Sequence, residues 1–297
     1  MSAAFVALAA LCWGISGGIG GILITRGWSP SVVSFYRGAI GLLIVLVWLF
    51  LRPRGNGLAN RRLWLWSAVA GLGIAGNFTF YFMSIDQGSV AVAVTLMYCA
   101  PVFVYLISFA LKLERPTAFK LTGIAAVMLG IVLLTRLYNI GAGDITPLGA
   151  AAGLLSGLFY AAFIFGFTYA APHGSPQAIL AIAFAVLAAL LFWPGDIPQT
   201  ITALTTPDWP LFAGIGILGG GLSFFLYIIG LRNTPPSAAS IVAMVEPVTA
   251  SLFGVVVLNN TLAAPQLLGM ALILVTVTAM SAYSGPAKQP SARRRIK

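Results

Sequence analysis

Glu246 is the one carboxylate in the apolar stretch from Ser237 to Leu258, and Pro247 follows it directly. An ionisable group at the centre of a bilayer costs roughly 2.5 kcal/mol or more, so it has to be paired, protonated or turned toward water. Arg37 is the opposite charge inside another apolar stretch, and on electrostatic grounds each is the other's obvious partner. Three roles are open to Glu246: structural partner, ligand for a substrate ammonium, or proton-coupling carboxylate. The role favoured here is a structural partner close to the site.

The other candidate substrate-binding residues are the polar and aromatic ones at mid-stretch: Trp13, Ser16, Asn77, Tyr81, Thr95, Tyr98, Tyr160, Ser223, Tyr227 and Met244. Asn77 and Tyr81 are four apart and share one helix face, as do Ser223 and Tyr227. Amide and hydroxyl groups beside aromatic rings suit an amphipathic zwitterion with an apolar side chain. The competing reading is that Tyr and Trp in membrane helices anchor at the interface or join helices. Arg37, Pro101 and Pro247 are assigned structural or gating roles, since a proline removes a backbone hydrogen bond and can kink a helix. No catalytic residue or metal site is expected. The chain has one histidine, His173, read as a loop residue, and no two acidic residues in one apolar span, so the clusters that membrane hydrolases and metalloproteases need are missing. No cofactor is expected either.

These residues must be held by helices that cross a membrane. The chain is 60% hydrophobic and 7% charged, with a mean hydropathy of +0.99, whereas soluble domains carry about 25% charged residues. Cys12 and Cys99 lie in apolar runs and read as small apolar fillers. Runs of about twenty apolar residues are placed at 3–24, 32–51, 63–84, 89–111, 117–136, 148–170, 177–193, 209–231, 237–258 and 265–284, the seventh being the shortest. The first run lacks a basic leader and is read as a retained span. The net charge of +10 is explained by sidedness rather than by nucleic acid. Alternate loops collect Arg52, Arg54, Arg61, Arg62, Lys112, Arg115, Lys120, Arg232, Lys288, Arg293, Arg294, Arg295 and Lys297, against Arg26 and Arg136 on the other side. The positive-inside rule then puts both termini in the cytoplasm, with Asp86, Asp144, Asp196 and Asp208 outside and the basic tail against anionic lipid.

Ser29-Pro30 recurs as Ser175-Pro176 and Pro101-Val102 as Pro247-Val248, both shifted by 146 residues. The same shift pairs Gly73 with Gly219, Phe78 with Phe224 and Tyr81 with Tyr227. Five spans per half is an odd number, so the second half must cross in the opposite sense, and inverted repeats place a binding site at their midplane interface. The expected fold is an all-α integral membrane protein with ten transmembrane helices as two inverted five-helix repeats.

The segments Met97 to Leu134 and Met244 to Met280 each resemble the second half of an EamA domain, and the whole pattern over about residues 3–284 is similar to the drug/metabolite transporter superfamily. The likeness rests on the tract before Pro101 and Pro247, on Glu114 and Pro116 opening the fifth span, on Gly123 and Gly269, and on Arg37 in the second. Asn260 stands where the first repeat has Glu114, and Ala183 where it has Arg37. Within the superfamily the chain is most similar to YddG-type exporters of aromatic and other amino acids. That resemblance implies a basket-like bundle around a central cavity in a bacterial inner membrane, exporting neutral amino acids by alternating access. The implied division is a first repeat over 1–136, a periplasmic linker over 137–147, a second repeat over 148–284 and a basic tail over 285–297. The expected partners are amino acids or similar small molecules and membrane lipids, not nucleic acid, with a monomer as the starting assumption. Nucleotide-sugar or other metabolite carriage by the same fold is the alternative, ahead of a lipid flippase, a passive channel or an enzyme.

Overall fold

The computed structural model describes residues 2–52, 55–141, 146–192 and 196–283. Arg54, residues 142–145 of the linker with Asp144, and the basic tail with Lys288, Arg293, Arg294, Arg295 and Lys297 lie outside the described residues. Within them the chain is all-helical: α1 (Ser2–Thr25), α2 (Pro30–Leu51), α3 (Arg61–Asp86), α4 (Val90–Met97), α5 (Ala100–Ala110), α6 (Ala118–Thr135), α7 (Pro147–Ala170), α8 (Pro176–Phe192), α9 (Ile197–Thr202), α10 (Trp209–Gly214), α11 (Ser223–Leu231), α12 (Pro236–Val242), α13 (Val245–Leu258) and α14 (Ala264–Tyr283). A π-helical segment, Ile215–Leu222, joins α10 to α11. Taking α4 with α5, α10 with α11 and α12 with α13, nine helices among the described residues are long and apolar enough to cross a membrane. The tenth apolar helix, α8, has 17 residues.

Local chemistry sets the boundaries. Asn60, Ser89, Thr117 and Thr146 each accept a backbone N–H in the first turn of α3, α4, α6 and α7, filling donors that a helix start leaves unpaired. Arg136 and Asn259 end α6 and α13 in the left-handed conformation, at φ 57° and 56°. The stretch from Pro194 to Asp208, expected as loop, instead contains α9: Asp196 caps it by accepting Gln199 N at 3.0 Å, and Pro198 fits its first turn.

The two mid-span prolines produce breaks. The chain leaves α4 through Tyr98 and Cys99, where Cys99 N bonds Leu96 O at 3.1 Å. It leaves α12 through Ala243 and Met244, where Met244 N bonds Ile241 O at 3.0 Å and Glu246 N bonds Ala243 O at 2.9 Å. Pro247 has no N–H to give Ala243 O, so the turn tightens onto the donor one residue earlier. Each proline then sits in the first turn of the following helix, where its missing donor costs nothing.

The most extensive pairings are α3 with α7 and α8, α6 with α14, α2 with α8 and the π segment, and α1 with α11 and α13. Every one joins a helix before residue 136 to one after 147, so the two parts of the chain interleave. Cross-chain hydrogen bonds sort the loops into two ends. At one end, Asp208 binds Arg26 and Trp28, Gln199 binds the 27–29 turn, Thr146 binds Gln87 O and Gln266 binds Leu134 O. At the other, Ser175 N bonds Asn56 O, Asn60 meets His173, Arg232 reaches Gly174 O and Glu114 binds Ser237.

Asp208 accepts from Trp28 Nε1 at 2.8 Å and from Arg26, and these donors hold its carboxyl below its ordinary value. A folded value under the unfolded one, about 3.9, means the clamp adds stability above about pH 4 and loses it as pH falls through the folded value. The gap in thermal midpoint between the native chain and Asp208→Asn is therefore expected to close below about pH 4. A gap unchanged between neutral and acidic pH would remove the charge from this account.

Candidate functional site

A cavity of about 750 Å³ occupies the middle of the bundle. Ile24, Pro30, Ile85, Val90 and Thr135 line its mouth. All five sit at helix termini on the Asp208 end, so the cavity is open toward that end and closed toward the Glu114 end.

Glu246 lines this cavity from the first turn of α13, where the helix dipole favours a negative charge. Tyr160 Oη donates to Glu246 Oε2 at 3.4 Å, and Tyr98 lines the same cavity. Arg37 lines it from α2. Its Nε donates to Gly219 O at 3.1 Å, and Cζ stands 5.5 Å from the centroid of the Phe78 ring, within cation–π range. Two glycines let facing helices reach these charged residues. A Cβ on Gly14 would lie 2.6 Å from Glu246 O, and one on Gly220 would run into Arg37 O.

The sequence leaves open whether Arg37 and Glu246 meet, and no ion pair joins them in the structure. The ion pairs among the described residues are Arg26–Asp208 and Lys120–Glu114. Arg37 is held by a carbonyl and a ring, Glu246 by the Tyr160 hydroxyl, and both face one cavity without forming an ion pair. Such an arrangement leaves a cation and an anion site available to a third molecule.

Trp13, Ser16, Asn77, Tyr81, Tyr98 and Tyr160 also line the cavity, as does Pro247. Asn77 is partly committed: its Nδ2 donates to Ser156 O and Oγ at 3.0 Å, and Ser156 Oγ donates to Asn77 O at 2.9 Å. This reciprocal set ties α3 to α7 at the cavity wall. A double-mutant cycle of Asn77→Leu with Ser156→Ala, read by thermal unfolding in detergent, is expected to give a coupling of roughly 0.6 to 1.7 kcal/mol; additive losses would mean that the two residues act separately.

Thr95, Ser223, Tyr227 and Met244 are not in the lining. Thr95 spends its hydroxyl on Ala91 O and Thr135, and Ser223 Oγ bonds Gly219 O at 2.8 Å, the carbonyl that Arg37 also uses. Tyr227 is fully buried against Trp13, Phe163 and Phe167, and Met244 is fully buried at the break before α13. Pro101 is buried away from the cavity. The sequence reading omits Phe78, Phe163 and Phe224 from the wall. Phe78 and Phe224 are partners under the 146-residue shift, and Phe163 is one turn from Tyr160, so spacing carried a signal that residue polarity did not.

A bundle of membrane-length apolar helices around a mainly apolar cavity that holds one cation and one anion defines a multi-pass membrane protein. The model of the EamA-like transporter family matches residues 1–136 and again 147–282, and the chain belongs to that family. It is 26% identical over 299 residues to the uncharacterized transporter YwfM of Bacillus subtilis, covering 97% of this chain and 95% of that one. It is 29% identical over 265 residues to the threonine/homoserine exporter RhtA of Escherichia coli K12, covering 86% and 84%. A solved protein crystal structure shares the fold with a TM-score of 0.74 at 19% identity, covering 95% of this chain and 97% of that one.

Proposed function

We propose that the chain is an exporter of neutral amino acids that binds them as zwitterions, the α-carboxylate at Arg37 and the α-ammonium at Glu246. The observation that carries this reading is that these two opposite charges face one cavity and form no ion pair with each other. The rings of Trp13, Phe78, Tyr98, Tyr160 and Phe163 are the surface for the side chain. Their number favours aromatic and other apolar side chains, in line with the YddG-type resemblance, while the RhtA relatives bring threonine and homoserine into the panel to be tested. A phosphate-bearing nucleotide sugar fits less well, because Glu246 would repel it.

Transport proceeds by alternating access through ten helices arranged as two inverted repeats. The two family matches begin 146 residues apart, the spacing of the repeated Ser-Pro and Pro-Val pairs, and this supports the duplication. The basic residues Arg52, Arg61, Arg62, Lys112, Arg115, Lys120 and Arg232 gather at or near the closed end, against Arg26 and Arg136 at the open one. That bias supports a cytoplasmic closed end and a cavity opening outward, in the inner membrane of a bacterium. Membrane lipids surround a monomer in this reading.

The test is counterflow in proteoliposomes with labelled phenylalanine, leucine, threonine and homoserine. Phenethylamine and phenylpropionate, each lacking one charge, serve as competitors beside a nucleotide sugar. Saturable counterflow of at least one amino acid, blocked by zwitterions and not by the singly charged analogues, is the expected result. Equal competition by either analogue would sink the two-charge clamp.

A further inference from the structure

We infer that Glu114 is the latch of the closed end, holding the start of span nine through Ser237, and that its release turns the floor of the cavity into the wall of an opening. Glu114 lies between α5 and α6. Its carboxylate accepts Ser237 Oγ at 2.5 Å and Ser237 N at 3.4 Å, and is paired with Lys120. Its side chain is 10% exposed and that of Lys120 is 21% exposed, so these bonds are shielded from water and stronger than a surface pair. Ser237 is in the first turn of α12, the half-span that leads through the Ala243–Met244 break to Glu246. A break of this kind is where two half-helices can turn against each other.

Between the latch and the cavity lies the floor: Phe167, Tyr227 and Met244, all fully buried. Tyr227 Oη and Trp13 Nε1 are buried there without a hydrogen-bond partner, and the two rings are 4.9 Å apart. An unpaired buried donor is costly, and here opening of the floor would relieve that cost by giving both groups water or substrate. The residues that the 146-residue shift places at the other end carry no such latch. Asn260 replaces Glu114, its backbone N–H bonding Gly254 O at 3.0 Å within its own segment, and Ala91, which replaces Ser237 and lines the cavity, has no side-chain donor for a latch. Of the two positions related by the shift, the one that carries a carboxylate is at the closed end.

This rests on the alternating access of the proposed function but not on the amino-acid substrate. The test places one cysteine in the floor, Met244→Cys, in the full chain carrying Cys12→Ser and Cys99→Ser. Its labelling by a membrane-impermeant maleimide is followed in vesicles that expose the Glu114 end. Glu114→Gln and, as the milder change, Ser237→Ala are expected to raise the labelling rate about tenfold, the population change set by loss of a charge-assisted hydrogen bond. A rate that stays at the parent value in Ser237→Ala and in whatever Glu114→Gln protein folds would overturn the latch. The readout needs no substrate, so failure of amino-acid counterflow and failure of the latch are separate results.

Discussion

Glu246→Gln is expected to lower amino-acid counterflow by roughly ten- to a hundredfold, the worth of one charge-assisted hydrogen bond to substrate, with recovery of folded protein near that of the parent. The amide keeps the shape of the carboxylate and still accepts from Tyr160. No ion pair with Arg37 is lost, because none is made. The measurement is the initial counterflow rate in proteoliposomes set against the monodisperse yield on size exclusion. Full transport with a reduced yield would return Glu246 to the structural role first expected of it.

Arg37→Lys is expected to damage both transport and stability, because Arg37 has two tasks. In the proposed function the guanidinium meets the substrate carboxylate, and in the structure its Nε–H holds Gly219 O in the π segment. Lysine keeps the charge but has no planar fork to serve both. Counterflow is expected to fall by at least about tenfold, and the protein to lose about 1 kcal/mol of stability with the neutral-carbonyl bond. Combining Arg37→Gln with Glu246→Gln is expected to reduce transport by less than the product of the single effects, since each removes one end of the same clamp. Multiplicative loss would mean that the two charges act on different steps.

Much of the fold was legible because a bilayer leaves few solutions. Twenty apolar residues between turn chemistry must be a helix, and Pro101 and Pro247 announced the breaks in the two spans that contain them. The π segment was not legible: Ile-Gly-Ile-Leu-Gly-Gly-Gly-Leu is as apolar as its neighbours, and its widening is tied to the close approach of α2 and to Arg37 on Gly219 O. The site was legible in part. Asn77 and Tyr81 reach the cavity, whereas Ser223 and Tyr227, chosen by the same four-residue spacing, do not. Spacing gives the face of a helix but not its depth relative to the floor, which depends on how far each span has been drawn toward the closed end. Glu114 and Ser237 are 123 residues apart, and nothing local marks either as the other's partner.

The cavity holds one formal positive and one formal negative charge, separate but cancelling. A zwitterion carried between them adds nothing to that sum. The membrane potential, worth about 2.3 kcal/mol per elementary charge per 100 mV, therefore finds no net charge to pull as the loaded carrier turns over. In the amino-acid reading, flux is therefore expected to be electroneutral, and a potential imposed across the proteoliposome membrane is expected to leave the counterflow rate unchanged.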